Sequence, residues 1–250
     1  MKRDLGPFMV GWNFDPTDIC ARKIQGLDGR AKLQVRLDLG LLQMALMGRP
    51  DGTTPHGHSS WLEYHLDQLE AERSDSGTDE NFRLDADACS ELEQEVLLFY
   101  HRYVCLMQLG DFEAVVRDTT HNLAILDLVR AYVEDDEDRQ SFEHYRPYVL
   151  MIHTRARGEI CLKEGNHAGA LKQIEGGLTK IKTCVANSDA IEAEEELEAL
   201  TTWAEEIDRE RPISLKQKLA RELKKAIAEE RYEQAARLRD KLRSLENANS

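Results

Sequence analysis

SELEQEVLLFYHRYVCLMQLGDFEAVVRDTTHNLAILDLV, residues 90–129, decides the fold class. Leu92, Val96, Phe99, Tyr100, Tyr103 and Met107 recur at three- and four-residue steps, which puts them on one helical face. Leu109-Gly110-Asp111-Phe112 ends that run with the residues that favour a helix stop and a new start. Val115, Val116, Thr119, Leu123, Leu126, Val129 and Val133 then resume the same period. The stretch predicts helix, glycine turn, helix, and with it a mainly α protein.

The arrangement recurs downstream. Tyr148, Val149, Ile152, Ala156 and Ile160 form a third helical face that runs to Lys163-Glu164-Gly165-Asn166. Ala170, Leu171, Ile174, Leu178, Ile181 and Val185 form a fourth. In both pairs apolar residues return five and six positions after the glycine, Val115 and Val116 in one, Ala170 and Leu171 in the other. That spacing resembles the tetratricopeptide helical pair, although the glycines lie 55 residues apart against a repeat of about 34. The body is therefore expected to be TPR-like, with longer helices.

Flanking segments read differently. Leu33, Val35, Leu37, Leu39 and Leu41 alternate with mostly polar neighbours, the period of a half-buried strand. Asp28-Gly29 before them suits a tight hairpin turn, and Ile19, Ala21 and Ile24 suggest an upstream strand. A helix over residues 31–47 is the competing reading. Gly48-Arg49-Pro50-Asp51-Gly52 is a turn. A helix begins at Trp61 with Ser60 as N-cap; residues 72–87 read as a polar loop, and Glu134–Asp138 as a solvated helix end. Residues 188–209 read as an acidic helix whose stripe is Ala190, Ala193, Leu197, Leu200, Ala204 and Ile207.

The 250-residue chain carries a net charge of −14. Residues 213–250 hold 10 Lys+Arg against 6 Asp+Glu; from totals of 33 and 47, the rest holds 23 against 41. An acidic body repels phosphate backbones, so nucleic-acid binding by the body is disfavoured. The sequence holds no apolar run of membrane-spanning length and no signal-peptide pattern. Five scattered cysteines without a Cys-x-x-Cys pair argue against disulfides or a zinc ribbon. The expected location is cytoplasmic.

The basic tail carries the sharpest pattern. Ser214-Leu215-Lys216-Gln217 fits a capping box. Leu215, Leu219, Leu223, Ala226 and Ile227 form one stripe; Tyr232, Ala235, Leu238, Leu242 and Leu245 form a facing one. Ala226-Ile227, Glu230 and Tyr232-Glu233-Gln234-Ala235-Ala236-Arg237-Leu238-Arg239-Asp240 closely resemble the UVR motif of bacterial UvrB and UvrC, over about Leu215–Leu245. The resemblance implies an antiparallel helical hairpin that mediates protein–protein contact. It implies Leu219, Leu223, Ile227, Tyr232, Ala235, Arg237, Leu238, Arg239 and Leu242 as partner-binding residues. The partner it implies is UvrB- or UvrC-like, Clp-type, or a second copy.

Other residues carry weaker chemistry. His56 and His58, with His65, have no carboxylate or cysteine to complete a metal set. Asp15, Asp28, Asp38 and Asp51 with Arg30, Arg36 and Arg49 read first as turn and strand positions, and residues 38–52 as the place for a site if the body has one. The expected organisation is a β-containing segment (1–58), a helical body (59–211) and a UVR-type hairpin (212–250). The expected function is an interaction adaptor without enzymatic activity, metal or cofactor. The alternatives are an accessory factor in nucleotide excision repair, or an enzyme using Asp38–Gly52.

Overall fold

The computed structural model describes residues 5–186, 191–210, 215–228 and 231–248; at 215–218, 220–221 and 244–248 only the backbone is described. The architecture is mainly α, with a three-stranded antiparallel sheet near the N-terminus. After a single turn, α1 (Gly6–Met9), come β1 (Ala21–Gln25), β2 (Ala31–Leu37) and β3 (Gly40–Ala45). The helices are α2 (Trp61–Ser76), α3 (Ala86–Gln108), α4 (Phe112–Tyr132), α5 (Asp136–Glu143), α6 (Arg146–Lys163), α7 (His167–Ala186), α8 (Glu194–Glu210), α9 (Leu215–Ala228) and α10 (Tyr232–Ala248). Among the described residues no helix is long and apolar enough to cross a membrane. The chain divides into two compact units, residues 1–205 and 206–250.

The strand reading of residues 31–47 holds, with one correction. The leucine alternation was expected to mark a single strand, but the chain reverses at Asp38-Leu39, so Leu33 pairs with Met44 and Gln34 with Gln43. Arg36 provides the physical reason: its guanidinium donates to the carbonyl oxygens of Asp38 (3.2 Å) and Gly40 (3.0 Å), clasping the turn. Leu39, still in phase with the strand, is left almost fully exposed. Leu33, Val35 and Met44 point into the helices and share a core with Tyr103, Leu106, Val115 and Ala156. The sheet and the helical body are one packed unit.

The helices start and stop on their own chemistry. Ser60 accepts from the Glu63 N–H (3.0 Å) and Asp85 from the Ala88 N–H (2.9 Å), each satisfying an otherwise orphaned amide. The α3–α4 and α6–α7 turns repeat one device: a glycine at positive φ (Gly110 +67°, Gly165 +72°) followed by Asp111 or Asn166. Asn166 Oδ1 accepts from the Gly169 N–H at 2.8 Å. Lys163 Nζ donates to the Gly110 carbonyl (2.7 Å), bringing the two turns side by side. Helix α3 packs on α4, α4 on α6 and α6 on α7. Between the pairs lies α5, which accounts for the long spacing of the two glycines. A second core, with Leu92, Ile125 and Leu126 fully buried, joins α2 through α5; each such side chain contributes about 1.5–3 kcal/mol.

Three boundary expectations are corrected. Residues 72–87 are not all loop, because α2 continues to Ser76 and stops on Gly77 (φ +75°), whose N–H meets the Arg73 carbonyl. Polarity there reflects a solvated helical turn. Residues 134–138 open a helix rather than close one: Asp135 caps α5 by accepting from the Glu137 and Asp138 amides, an acidic placement that the helix dipole favours. The acidic helix starts at Glu194, with Ile191–Ala193 outside it; the expected start at 188–190, the break at Pro212 and the Ser214 cap lie outside the described residues.

Candidate interaction surface

In the hairpin, Arg231 N–H donates to the Ala226 carbonyl (2.8 Å) and the Ala235 N–H to the Arg231 carbonyl (3.0 Å), closing α9 and opening α10. Leu219, Ala226, Ala235 and Leu238 are buried together, with Leu223 and Leu242 packed against them. Alanine at 226 and 235 lets the two backbones approach closely. Five of the nine residues expected at the partner surface, Leu219, Leu223, Ala235, Leu238 and Leu242, therefore close the hairpin on itself. The other four point outward. Ile227 is 54% and Tyr232 68% exposed, large apolar areas that folding leaves in water. Arg237 and Arg239 are exposed as well, and Arg239 pairs with its exposed neighbour Asp240 (3.3 Å), a contact of little energetic weight. Tyr232 and Arg237, with Glu233 and Gln234, line a shallow hollow at the hairpin tip.

Residues 214–248 match the UvrB/uvrC motif. The match spans both helices of the hairpin and stops there. No curated protein and no solved structure shows a match to the chain.

The body distributes its candidate residues differently. Asp15 and Asp28 sit in exposed turns, each held below the usual carboxylate range: Asp15 by Thr17, Asp28 chiefly by Lys32 and then the Arg30 N–H. Asp38 and Arg30 are exposed at separate turns. Arg49 and Asp51 form a side-chain ion pair at 3.1 Å, and Arg49 turns inward. There it reaches Glu95, whose side chain is fully buried, at 3.2 Å. Glu95 also accepts from the Trp61 (2.8 Å) and Leu62 (3.1 Å) amides at the start of α2, and lies 2.9 Å from His121 Nε2. Burial alone would raise its pKa; the hydrogen bonds from His121, Trp61 and Leu62 outweigh that and hold it low. Nearby, buried Arg102 makes a two-pronged pair with Asp118 (2.6 and 2.8 Å) and donates to the Ala45 and Gly48 carbonyls (2.9 and 2.7 Å). The 46–52 segment is thus tied to α3 and α4 through arginines.

Glu95, Arg102, Asp118 and His121 escaped the sequence reading. A signal existed: Glu95, Arg102 and Asp118 each fall three residues after a buried apolar residue (Leu92, Phe99, Val115), so each had to be on the packed face. His56 stacks on Tyr64 (4.6 Å between centroids), His58 meets Asp67 (2.9 Å), and His65 is buried, which lowers its pKa. Among the described residues no three His, Cys, Asp or Glu come together as a metal site. Burial pushes the Cys89 and Cys105 thiols up to about 11, leaving little thiolate near neutrality.

Proposed function

We propose that this protein is an interaction adaptor without catalytic chemistry of its own, whose C-terminal hairpin docks a partner protein through its tip. The observation that supports this reading is the partition of the apolar stripes. The hairpin core is formed by Leu219, Ala226, Ala235 and Leu238 from its own two helices, yet Ile227 and Tyr232 stay exposed, and Tyr232 shares a surface hollow with Arg237. Exposed apolar side chains on an arginine-bearing hairpin suit a binding hot spot, where aromatic and arginine side chains dominate the energetics. Arginine adds selectivity for carboxylate-bearing partners through its two-pronged hydrogen bonding. The match of this hairpin to the UvrB/uvrC motif agrees with a protein partner.

The test uses the full-length chain and a double variant, Ile227→Asp with Tyr232→Ala. Both side chains are exposed, so helix content by circular dichroism should not change. Affinity capture from an extract of the source cells, quantified by mass spectrometry, should lose its specific partners at least tenfold. An identical set of captured proteins, in equal amounts, would rule out the hairpin tip as the docking surface.

A further inference from the structure

The first unit carries a groove of about 730 Å³ that the hairpin reading does not use. Its floor is one face of α3, running from Ser90 through Glu93 and Leu97 to Tyr100 and Tyr103. Thirteen steps of 1.5 Å from Ser90 to Tyr103 make that floor about 20 Å long. Tyr145, just before α6, and Tyr148 within it form the facing wall, and Glu196 of α8 stands at the rim. The groove is open to solvent, with Leu97 of the floor 53% and Tyr145 of the wall 45% exposed.

The lining has a definite chemistry. Tyr100 stands edge-on to Tyr103 at 5.6 Å and tilted to Tyr148 at 6.0 Å, so the rings make a continuous aromatic lining. Glu91, Glu93 and Glu196 supply carboxylates around it, and among the described residues no lysine or arginine lines the groove; His144 is the remaining titratable group besides the tyrosines. Aromatic faces attract cations through the ring quadrupole, and carboxylates pair with guanidinium groups. Burial, and then the charge of Asp87, pushes the Glu91 carboxyl above its ordinary value, against the opposing charges of His56 and Arg49. A cation in the groove would relieve that.

We propose that this groove binds an arginine- or lysine-bearing peptide segment of a partner protein, about six residues long if extended. The length follows from the floor, since six residues at roughly 3.3–3.6 Å each span about 20 Å. An acidic partner would meet three carboxylates with no lysine or arginine in the described lining to offset them, and an apolar one would bury their charge. The site would be the second of two docking surfaces, independent of the hairpin tip and of opposite charge.

A fluorescein-labelled hexa-arginine peptide, titrated into the full-length protein and followed by anisotropy at near-physiological salt, tests it. Two variants alter the groove: Tyr100→Leu, which keeps apolar bulk and removes the ring, and the triple change Glu91→Gln, Glu93→Gln, Glu196→Gln. A control removes equal charge elsewhere: Glu134→Gln, Glu137→Gln, Asp138→Asn. Each groove variant should weaken binding at least tenfold, about 1.4 kcal/mol, while the control stays within twofold of the parent. A control that weakens binding as much as the triple variant would overturn the proposal, because attraction would then be to the acidic body as a whole. Wild-type affinity in both groove variants would overturn it as well. Displacement of the peptide by equimolar choline would overturn it in favour of a small quaternary ammonium ligand.

Discussion

Replacing Glu95 by alanine should cost about 3–5 kcal/mol of stability, the usual loss when one partner of a buried ion pair is removed. Glu95 is fully buried and receives Arg49, two α2 amides and His121. Its loss leaves the Trp61 and Leu62 N–H groups without their acceptor, and leaves Arg49, itself 4% exposed, with Asp51 as its charged partner among the described residues. Urea unfolding followed by circular dichroism reads the loss as a lower midpoint at unchanged slope. Glu134→Ala breaks a pair between exposed side chains, Arg83 and Glu134, and should cost under about 1 kcal/mol. The double change Arg49→Met with Glu95→Leu should be less damaging than Glu95→Ala, since no uncompensated charge stays buried. Acid adds a second arm. Because the folded-state pKa of Glu95 is depressed, its contribution is complete above the unfolded value of about 4.3 and is lost as the pH falls through the folded value below it. If Glu95→Ala cost less than about 1 kcal/mol, the cluster would not be a structural joint, and the 38–52 segment would return as a candidate for chemistry.

Burial, then Arg157 and Lys180, lowers the His153 pKa to about 4; the neutral ring is preferred in the folded state, so stability is full above about pH 6.5 and declines as the pH falls toward 4. Melting temperature measured across that window should fall less steeply in His153→Gln than in the parent, and equal slopes would refute the assignment. Leu238→Ala, in the hairpin core, should destabilise the hairpin by about 2–5 kcal/mol while amide exchange in residues 5–186 stays as in the parent; faster exchange throughout the body would refute the division into two units.

What was legible in the sequence was whatever local periodicity and turn chemistry control. Helices α3, α4, α6 and α7 and their glycine turns could be read because each is specified by residues within a few positions of one another. Strand β2 was legible for the same reason, yet its end was not. The leucine alternation runs on through Leu39, and what reverses the chain is the long side chain of Arg36 reaching forward to two carbonyls. Asp118 and Arg102 stand sixteen residues apart, and Arg49 and Glu95 forty-six; no periodic pattern encodes which buried charge finds which partner. The hairpin illustrates the same limit at its site. Both stripes were visible, but that Leu223 and Ala226 close the hairpin while Ile227 faces outward depends on the rotation of one helix against the other.

Trp203 obeys the same limit, since the α8 stripe of Leu197, Leu200, Ala204 and Ile207 passes it over. It follows Leu200 by three positions and is 6% exposed. Its ring lies against Gly158 of α6, where a Cβ would stand 2.5 Å from the indole, and Arg155 lies over its face at 5.0 Å. A glycine in the middle of a helix costs about 1 kcal/mol relative to alanine, so local propensity argues against Gly158. Burying an indole on that spot outweighs the cost, since an aromatic side chain removes 150–250 Å² from water at about 25 cal/mol per Å², or roughly 4–6 kcal/mol. Propensity at one residue and burial at another, 45 positions along the chain, oppose each other here, and burial, several times stronger, decides where α8 packs.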